Sequence, residues 1–195
     1  MTRRLEQQIA FLNEADKLKQ IIRGTTLCDA SRYENSAEHS WHLTLYALVL
    51  ADQAGPEVDI TRVIKMLILH DLVEIDAGDN PIFGIHDTAQ AAKDETAAAD
   101  RLFGLLPNDL RDDLRATWEE FEAAQSPSAQ FAKSLDRFQP PMQNLASGGG
   151  SWIEYNVSEQ MVAERVGSKI AIGAPALWQF ARGKIAAFFA SRKNL

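Results

Sequence analysis

The stretch VIKMLILHDLVEIDAGDNP, residues 63–81, places a histidine and an aspartate directly after an apolar run. The run is apolar on nearly every side of a helix, which is typical of a helix deep inside a bundle. A buried ionisable pair such as His70 and Asp71 is costly unless a partner compensates it, and a bound cation compensates it well. The stretch therefore predicts a helix over about 60–75 that carries a metal-binding pair.

Helical periodicity continues along most of the chain, and strand signals are nearly absent. Apolar residues recur at spacings of three and four, the pattern of amphipathic helices. Clusters of Gly, Pro, Asp, Asn and Ser separate these segments. The sequence thus predicts an all-α helical bundle of about seven or eight helices. The expected helices span 3–22, about 36–53, 60–75, 88–105, 108–124, 128–139, 157–167 and 174–192.

Two of the breaks between helices carry particular expectations. The polar loop over roughly 23–36 ends at Asn35 or Ser36, either of which can be the N-cap of the next helix. Pro140-Pro141 must distort or end the helix that contains it, because proline has no backbone N–H. Further breaks are expected in the loop 76–87 and, as a flexible segment, at Gly148–Gly150.

Length and composition fit a single globular domain. The 195 residues include 46% hydrophobic and 24% charged residues, which is ordinary for such a domain. We expect one domain over 1–195 with a core at about 15–145. The C-terminal helices, 157–192, then either pack on that core or form a dimer interface.

Charge and cysteine content limit the compartment and the partners. Cys28 is the single cysteine, so no intrachain disulfide forms, which suits a reducing cytosol. No apolar run approaches the roughly 20 residues of a membrane helix. We therefore expect a cytoplasmic protein with no membrane contact. The net charge of −7 argues against a nucleic-acid polymer as partner, but it does not exclude a small phosphate ester.

Two more residues extend the His70-Asp71 pair into a candidate metal site. His39 lies at the start of its predicted helix, and Asp136 lies in the segment FAKSLDRF, an acid in apolar surroundings. Each residue alone has an ordinary explanation in packing or solvation, whereas the whole set is more informative. Two imidazoles and two carboxylates suit one divalent ion such as Mn, Fe, Co, Ni, Zn or Mg.

Three segments give the chain a resemblance to a known family. They are RYENSAEHSWH at 32–42, LHDLVEIDAGDNP at 69–81 and WEEFEAAQSPSAQFAKSLDRF at 118–138. The chain resembles the HD-domain phosphohydrolase superfamily, whose pattern is H…HD…D on a helical bundle, over about 15–145. Within it, the chain is similar to the small 5′-deoxynucleotidase branch. The resemblance implies a homodimeric, metal-dependent enzyme that removes phosphate from a small phosphomonoester, above all a (deoxy)nucleoside 5′-monophosphate.

The resemblance also assigns roles to individual residues. Glu74 is the first implied catalytic acid, and its position four residues after His70 gives both side chains the same helix face. Asp79, on the following loop, is the second. The implied metal ligands are His39, His70, Asp71 and Asp136.

Basic residues are the expected phosphate contacts, because guanidinium groups match phosphate oxygens. The family has arginines upstream of its first histidine, where Arg32 aligns directly and Arg23 aligns with a one-residue insertion. Lys133 lies one helical turn before Asp136, where it can neutralise that acid, touch phosphate or simply be solvated.

The remaining histidines and the departures from the family pattern carry weaker expectations. His42 is expected behind the ligands or in packing, and His86 on the surface. The family often has an acid near position 139, where this chain has glutamine. After Asp79 the family commonly has one more residue before its proline, whereas here Asn80-Pro81 follows directly. This change concerns substrate choice rather than metal binding.

Two other functions remain open from sequence. One is hydrolysis of a cyclic nucleotide or an alarmone within the same superfamily, although neither a GYP-like segment nor an HDxxED sequence is present. The other is a non-catalytic metal or nucleotide sensor. Homodimerisation is expected because the terminal helices are more apolar than a lone domain of this size needs.

Overall fold

Helices predominate in the computed structural model, which describes residues 2–192. The prediction of an all-α helical bundle is confirmed. Short turns of other helix types join several of the helices: 3₁₀ turns at Asp16–Gln20, Ala51–Gln53 and His70–Val73, and a π turn at Ala163–Gly167. The helices are α1 Thr2–Ala15, α2 Ser36–Val49, α3 Ile60–Leu69, α4 Glu74–Ala77, α5 Thr88–Phe103, α6 Asn108–Ala123, α7 Pro127–Ala146, α8 Gly150–Glu154, α9 Glu159–Val162, α10 Ser168–Gly173 and α11 Pro175–Arg192.

A small hairpin stands where the sequence predicted a polar loop. Strands β1, Ile22–Thr26, and β2, Tyr33–Asn35, pair antiparallel. The prediction of a loop over 23–36, and of a first helix reaching residue 22, was therefore wrong in these places. The reason is physical: the buried positions of this hairpin are polar, Thr25 and Glu34, so no apolar alternation marks the strands.

A capping box joins β2 to α2. The Asn35 side chain accepts a hydrogen bond from the Glu38 N–H at 2.9 Å, and the Glu38 carboxylate accepts one from the Asn35 N–H at 3.1 Å. Asn35 is thus the N-cap, one of the two predicted candidates. The box fixes the first turn of α2, and with it the position of His39.

The predicted helix over 60–75 is interrupted at its histidine. α3 ends at Leu69, the 3₁₀ turn His70–Val73 follows, and α4 begins at Glu74. Winding at about three residues per turn brings side chains three apart onto one side. Asp71 and Glu74 therefore face the same space. Gly78 ends α4 with a positive φ of 76°, a conformation that glycine adopts without strain.

α7 runs through the centre of the molecule and passes its two prolines. The prolines were expected to distort or end the helix, and the predicted end near residue 139 was wrong, because α7 continues to Ala146. The prolines remove the N–H groups that would bond the carbonyls of Asp136 and Arg137. Buried residues on both sides, including Leu135 and Asn144, hold the helix in place across that loss.

The glycine segment after α7 forms a defined turn rather than a flexible break. Gly149 N–H bonds the Asn144 carbonyl at 2.7 Å, and Ser151 N–H bonds the Asn144 side chain at 3.0 Å. Gly149 and Gly150 both have positive φ, so this turn uses the freedom that only glycine has at low cost. The turn directs α8 back along α7.

The C-terminal helices pack on α7. α10 and α11 contribute Ile170, Leu177, Ala181 and Ile185 to the same buried cluster as Phe131. A second cluster, which includes Phe11 and Phe103, joins α1 to α5. Within residues 2–192, no helix combines the length and apolar character that crossing a bilayer requires.

Gly173 marks the closest approach of α10 to α7. A Cβ atom at this position would lie 2.3 Å from the Gln130 carbonyl oxygen, far inside contact distance. Backbone atoms cannot move aside as a flexible side chain can, so α10 would have to shift. Gly183, on the exposed side of α11, has no atom within 4 Å of the corresponding point.

These two glycines should respond in opposite directions to the same substitution. Gly173→Ala should lower the free energy of unfolding by about 1–3 kcal/mol through overpacking. Gly183→Ala should raise it by roughly 0.5–1 kcal/mol, because alanine is the better helix former. Urea unfolding followed by circular dichroism measures both. Equal stability of the two variants would contradict the close approach of α10 to α7.

Candidate active site

Three of the four predicted metal ligands converge from three separate elements. His39 comes from α2, His70 from the 3₁₀ turn after α3, and Asp136 from the middle of α7. One ligand atom of each lies within 4.8 Å of the others. The Asp136 Oδ1 atom is 3.1 Å from His39 Nε2 and 3.7 Å from His70 Nε2. All three residues are buried.

Hydrogen bonds behind the two imidazoles define their orientation. His70 Nδ1 lies 2.9 Å from the Leu67 carbonyl oxygen, which can only accept. His39 Nδ1 lies 3.1 Å from Gln139 Oε1, also an acceptor. Both Nδ1 atoms are therefore the donors, and both Nε2 atoms face Asp136.

A buried glutamate fixes the direction of the Gln139 amide. Glu34, from β2, is 1% exposed and accepts hydrogen bonds from Gln139 Nε2 at 3.1 Å and Gln143 Nε2 at 2.8 Å. An ionised carboxylate only accepts, so the amide nitrogen turns to Glu34 and the amide oxygen to His39. Burial opposes ionisation of Glu34, but His39 and Gln143 lower its pKa.

Asp71 lies beside this cluster. Its Oδ1 atom is 2.9 Å from His70 Nε2, and its Oδ2 atom is 4.0 Å from His39 Nε2 and 2.9 Å from Arg23 Nη1. Burial opposes its charge, yet His70 and Arg23 hold the pKa of Asp71 well below its usual range. Asp71 is thus an ionised carboxylate at the edge of the candidate metal position.

The donor set fits a divalent cation. His70 Nε2 is buried and has no hydrogen-bond partner within residues 2–192, because its close approach to Asp71 lacks hydrogen-bond geometry. Burial opposes a positive imidazole, but Asp71 and Asp136 outweigh it and raise the pKa of His70 to about 10. The carboxylates of Asp71 and Asp136 therefore favour a positive charge at the point where the imidazole nitrogens converge. Mixed nitrogen and oxygen ligands suit a borderline or harder divalent ion.

Arg23 lies in the middle of the remaining acids. Its Nη1 atom is 2.9 Å from Asp71, 3.7 Å from Glu74 and 3.8 Å from Asp79, and its side chain is 12% exposed. Burial opposes its charge, but Asp71 and the neighbouring carboxylates raise its pKa. Arg23 therefore neutralises acids that would otherwise repel one another.

The two predicted catalytic acids face the same space from different sides. Ser36 Oγ donates to Glu74 Oε2 at 2.5 Å, and the Gly24 N–H donates to Asp79 Oδ2 at 3.4 Å. Burial and the nearby Asp71 charge raise the pKa of Glu74 to about 8. Burial also raises the pKa of Asp79, although Arg23 opposes this. Glu74 can therefore hold a proton at neutral pH.

The other predicted contacts are not all brought together. Arg32 does not line the cleft: it is exposed and bonds both oxygens of Glu38, at 2.8 and 2.6 Å. Lys133 does line it, but its ammonium group pairs with Glu122 at 3.0 Å and lies 3.9 Å from the centre of the Phe121 ring. Of the remaining histidines, His42 accepts from the Gln139 amide at 3.2 Å and His86 is exposed, as expected.

A cleft of about 180 Å³ opens from the cluster to the surface. The loop after Asp79 forms one wall through Ile82 and Phe83. Trp152 of α8 and Tyr155, directly after that helix, form another. Sequence reasoning expected the loop to border the site but missed α8, because the glycines before it indicated a flexible break. It also missed Glu34, whose only sequence signal was its position five residues before His39.

Residues 15–178 match the family model described as HD domain. The chain belongs to the HD domain family. This HD domain protein is similar to a crystal structure described as a predicted metal-dependent phosphohydrolase from Magnetospirillum magnetotacticum MS-1. The identity is 44%, the TM-score is 0.88, and 95% of each chain is covered.

Curated relatives of the HD domain protein share one name. The chain is 30% identical to the human 5′-deoxynucleotidase HDDC2 over 131 residues. This match covers 66% of the chain and 62% of the relative. The chain is 31% identical to a 5′-deoxynucleotidase of Vibrio cholerae over 117 residues. This match covers 56% of the chain and 60% of the relative. The chain thus spans less than two thirds of the length of these relatives. The matches confirm the resemblance found from sequence.

The Gln139 amide should matter for metal affinity more than for folding. Gln139→Met keeps the side-chain size but removes the acceptor for His39, so Co²⁺ affinity should fall by about 10- to 100-fold. Isothermal titration calorimetry on the metal-free protein measures this. Gln143→Met is the matched control, since it also takes one amide from Glu34 but leaves the His39 contact. Equal metal affinity of the two variants would contradict the orienting role.

Glu74 should make the metal-free protein less stable as pH rises. Its folded pKa of about 8 exceeds the ordinary value of 4.5, so between these values the folded chain holds a proton that the unfolded chain has lost. The stability contribution is fully present below about pH 4.5 and is lost as pH rises through about 8. Urea unfolding with chelator, from pH 4.5 to 8.5, should give a flatter profile for Glu74→Gln. The exposed Glu119→Gln should follow wild type, and parallel profiles for all three proteins would refute the shift.

Proposed function

We propose that this HD domain protein is a metal-dependent phosphohydrolase that removes phosphate from a small phosphomonoester. The observation that carries the proposal is the convergence of two oriented imidazoles and buried carboxylates at the base of an open cleft. The names of the curated relatives support a (deoxy)nucleoside 5′-monophosphate as the substrate class.

We assign the metal to His39, His70, Asp71 and Asp136. When bound there, a divalent ion supplies a Lewis acid for the phosphoryl group and lowers the pKa of water. The chain itself supplies the orientation of both imidazoles through Leu67 and Gln139. It also limits the contact of the centre with bulk water to the side of the cleft, because all the ligand side chains are nearly buried.

Proton transfer falls to the two acids on the other side of Arg23. Glu74 is positioned by the Ser36 hydroxyl, and burial raises its pKa in the metal-free protein, so it is the first candidate to protonate a leaving 5′-oxygen. Asp79 reaches the same space from the loop and is the second candidate for proton transfer. Arg23 keeps both carboxyl groups close to the ligands without mutual repulsion.

The predicted basic contacts take different places in this proposal. Arg23 lies within the site and can touch a phosphate that enters it. Lys133 borders the cleft while paired with Glu122. The bidentate bond from Arg32 to Glu38 gives Arg32 a role in holding the start of α2, where His39 lies.

The proposal also covers the compartment and the oligomeric state of the protein. We place the protein in the cytoplasm as a homodimer. Support for the dimer comes from a row of exposed apolar side chains on α2, with Trp41, Leu48 and Val49 being 59%, 58% and 75% exposed. Light scattering should then give about twice the mass of the single chain.

The activity is tested by phosphate release from a panel of nucleoside monophosphates with Co²⁺, Mn²⁺ or Mg²⁺ added. Wild type should release phosphate, and Asp71→Asn should fall to the level of chelated wild type because a ligand is lost. Asp76→Asn is the matched control, since Asp76 pairs with Arg101 away from the cleft. Metal-dependent nucleotide binding without phosphate release would instead identify a sensor.

A further inference from the structure

Arg137 stands directly beside the candidate metal centre, one residue after Asp136 on α7. It lines the same cleft, and its side chain is 38% exposed. Its Nε atom lies 3.7 Å from Asp136 Oδ2, beyond hydrogen-bond distance. The other oxygen of that carboxylate, Oδ1, faces both imidazoles. Only one carboxylate group therefore separates the guanidinium from the metal position.

The other basic side chains of the cleft are already engaged. Arg23 donates to Asp71 at 2.9 Å, and Lys133 pairs with Glu122 at 3.0 Å. Within residues 2–192, the Arg137 side chain makes no hydrogen bond. All of its donors are thus free for a ligand, whereas Arg23 and Lys133 each already give one donor to a carboxylate.

The charge of the cleft makes a free guanidinium significant. Six carboxyl side chains line it, those of Asp71, Glu74, Asp79, Glu95, Glu122 and Asp136. A phosphate dianion that enters such a cleft meets strong repulsion away from the metal and the few basic groups. A planar guanidinium offers two parallel donors that match two phosphate oxygens.

We propose that Arg137 binds the phosphate group of the substrate, donating to its non-bridging oxygens beside the metal centre. This inference rests on the proposed function, since it names the residue that recognises the phosphate in that site. The sequence expectation had placed phosphate recognition on Arg23, Arg32 and Lys133. In the structure each of these three has a carboxylate partner at hydrogen-bond distance.

The rival role for Arg137 is to neutralise Asp136 alone. The two roles differ in what a substitution changes. A neutralising arginine acts on the ligand, so its loss changes metal affinity. A phosphate-binding arginine acts on the anion, so its loss changes phosphate affinity at unchanged metal affinity.

The test compares Arg137→Gln and Arg137→Lys with wild type in two calorimetric titrations. The first measures Co²⁺ binding to the metal-free protein, and the second measures inorganic phosphate binding to the Co²⁺-loaded protein. Arg111→Gln is the matched control, because Arg111 is similarly exposed, at 43%, but lies on α6, and among the described residues its side chain bonds only Asp112.

Arg137→Gln should bind inorganic phosphate at least about 10-fold more weakly than wild type, as expected for a lost charged hydrogen bond. Its Co²⁺ affinity should stay within about threefold. Arg137→Lys should fall between, because it keeps the charge and loses the fork. In turnover, the loss should appear mainly in KM.

Unchanged phosphate affinity of Arg137→Gln would overturn the inference, as would a wild type that binds no phosphate. A loss of phosphate affinity that is fully explained by a fall in Co²⁺ affinity would overturn the inference in favour of the neutralising role. A wild type that binds phosphate through Arg137 but hydrolyses no phosphomonoester would sustain the inference and overturn the proposed function.

Discussion

The structure depends on the concentration of charge at one buried point. Asp71, Asp136 and two imidazoles meet where water is nearly excluded, and this arrangement is costly unless positive charge neutralises it. Arg23 neutralises the acids on one side, and the raised pKa of His70 marks the demand for a cation on the other. The bundle can be understood as the scaffold that holds these groups together against their mutual repulsion.

Three local features of the fold serve that scaffold. The capping box at Asn35 sets the start of α2, and the 3₁₀ turn at His70–Val73 aims Asp71 and Glu74 into one space. The hairpin of β1 and β2, with its short and polar strands, brings Glu34 beside His39. His39 and Asp136 lie on regular helices, whereas the 3₁₀ turn and the hairpin supply the groups around them.

Much of this was predictable from the sequence, for identifiable reasons. The pair His70-Asp71 is recognisable in the sequence because charged groups directly after an apolar run need compensation. The helical bundle follows from apolar spacing, a local property of the chain. The role of Glu34 does not follow, because its partners Gln139 and Gln143 are 105 and 109 positions away in the sequence. The free donors of Arg137 do not follow either, because they depend on which side chains the fold places beside it. The path of α7 through Pro140 was misjudged since tertiary packing overrides local propensity.

The Gln139 amide has a consequence for the chemistry of any ion that His39 holds. A carboxylate in its place would pull the Nδ1 proton and push electron density through the ring onto the metal. An uncharged amide oxygen pulls far less, but Glu34 Oε2 lies 3.4 Å from the same Nδ1 atom and adds a charged group beside it. The His39 Nδ1 proton is therefore shared between a neutral amide oxygen and a carboxylate. The charge of Glu34 would thus set how strongly His39 donates electrons to an ion held there, and how electrophilic that ion would be toward a phosphoryl oxygen.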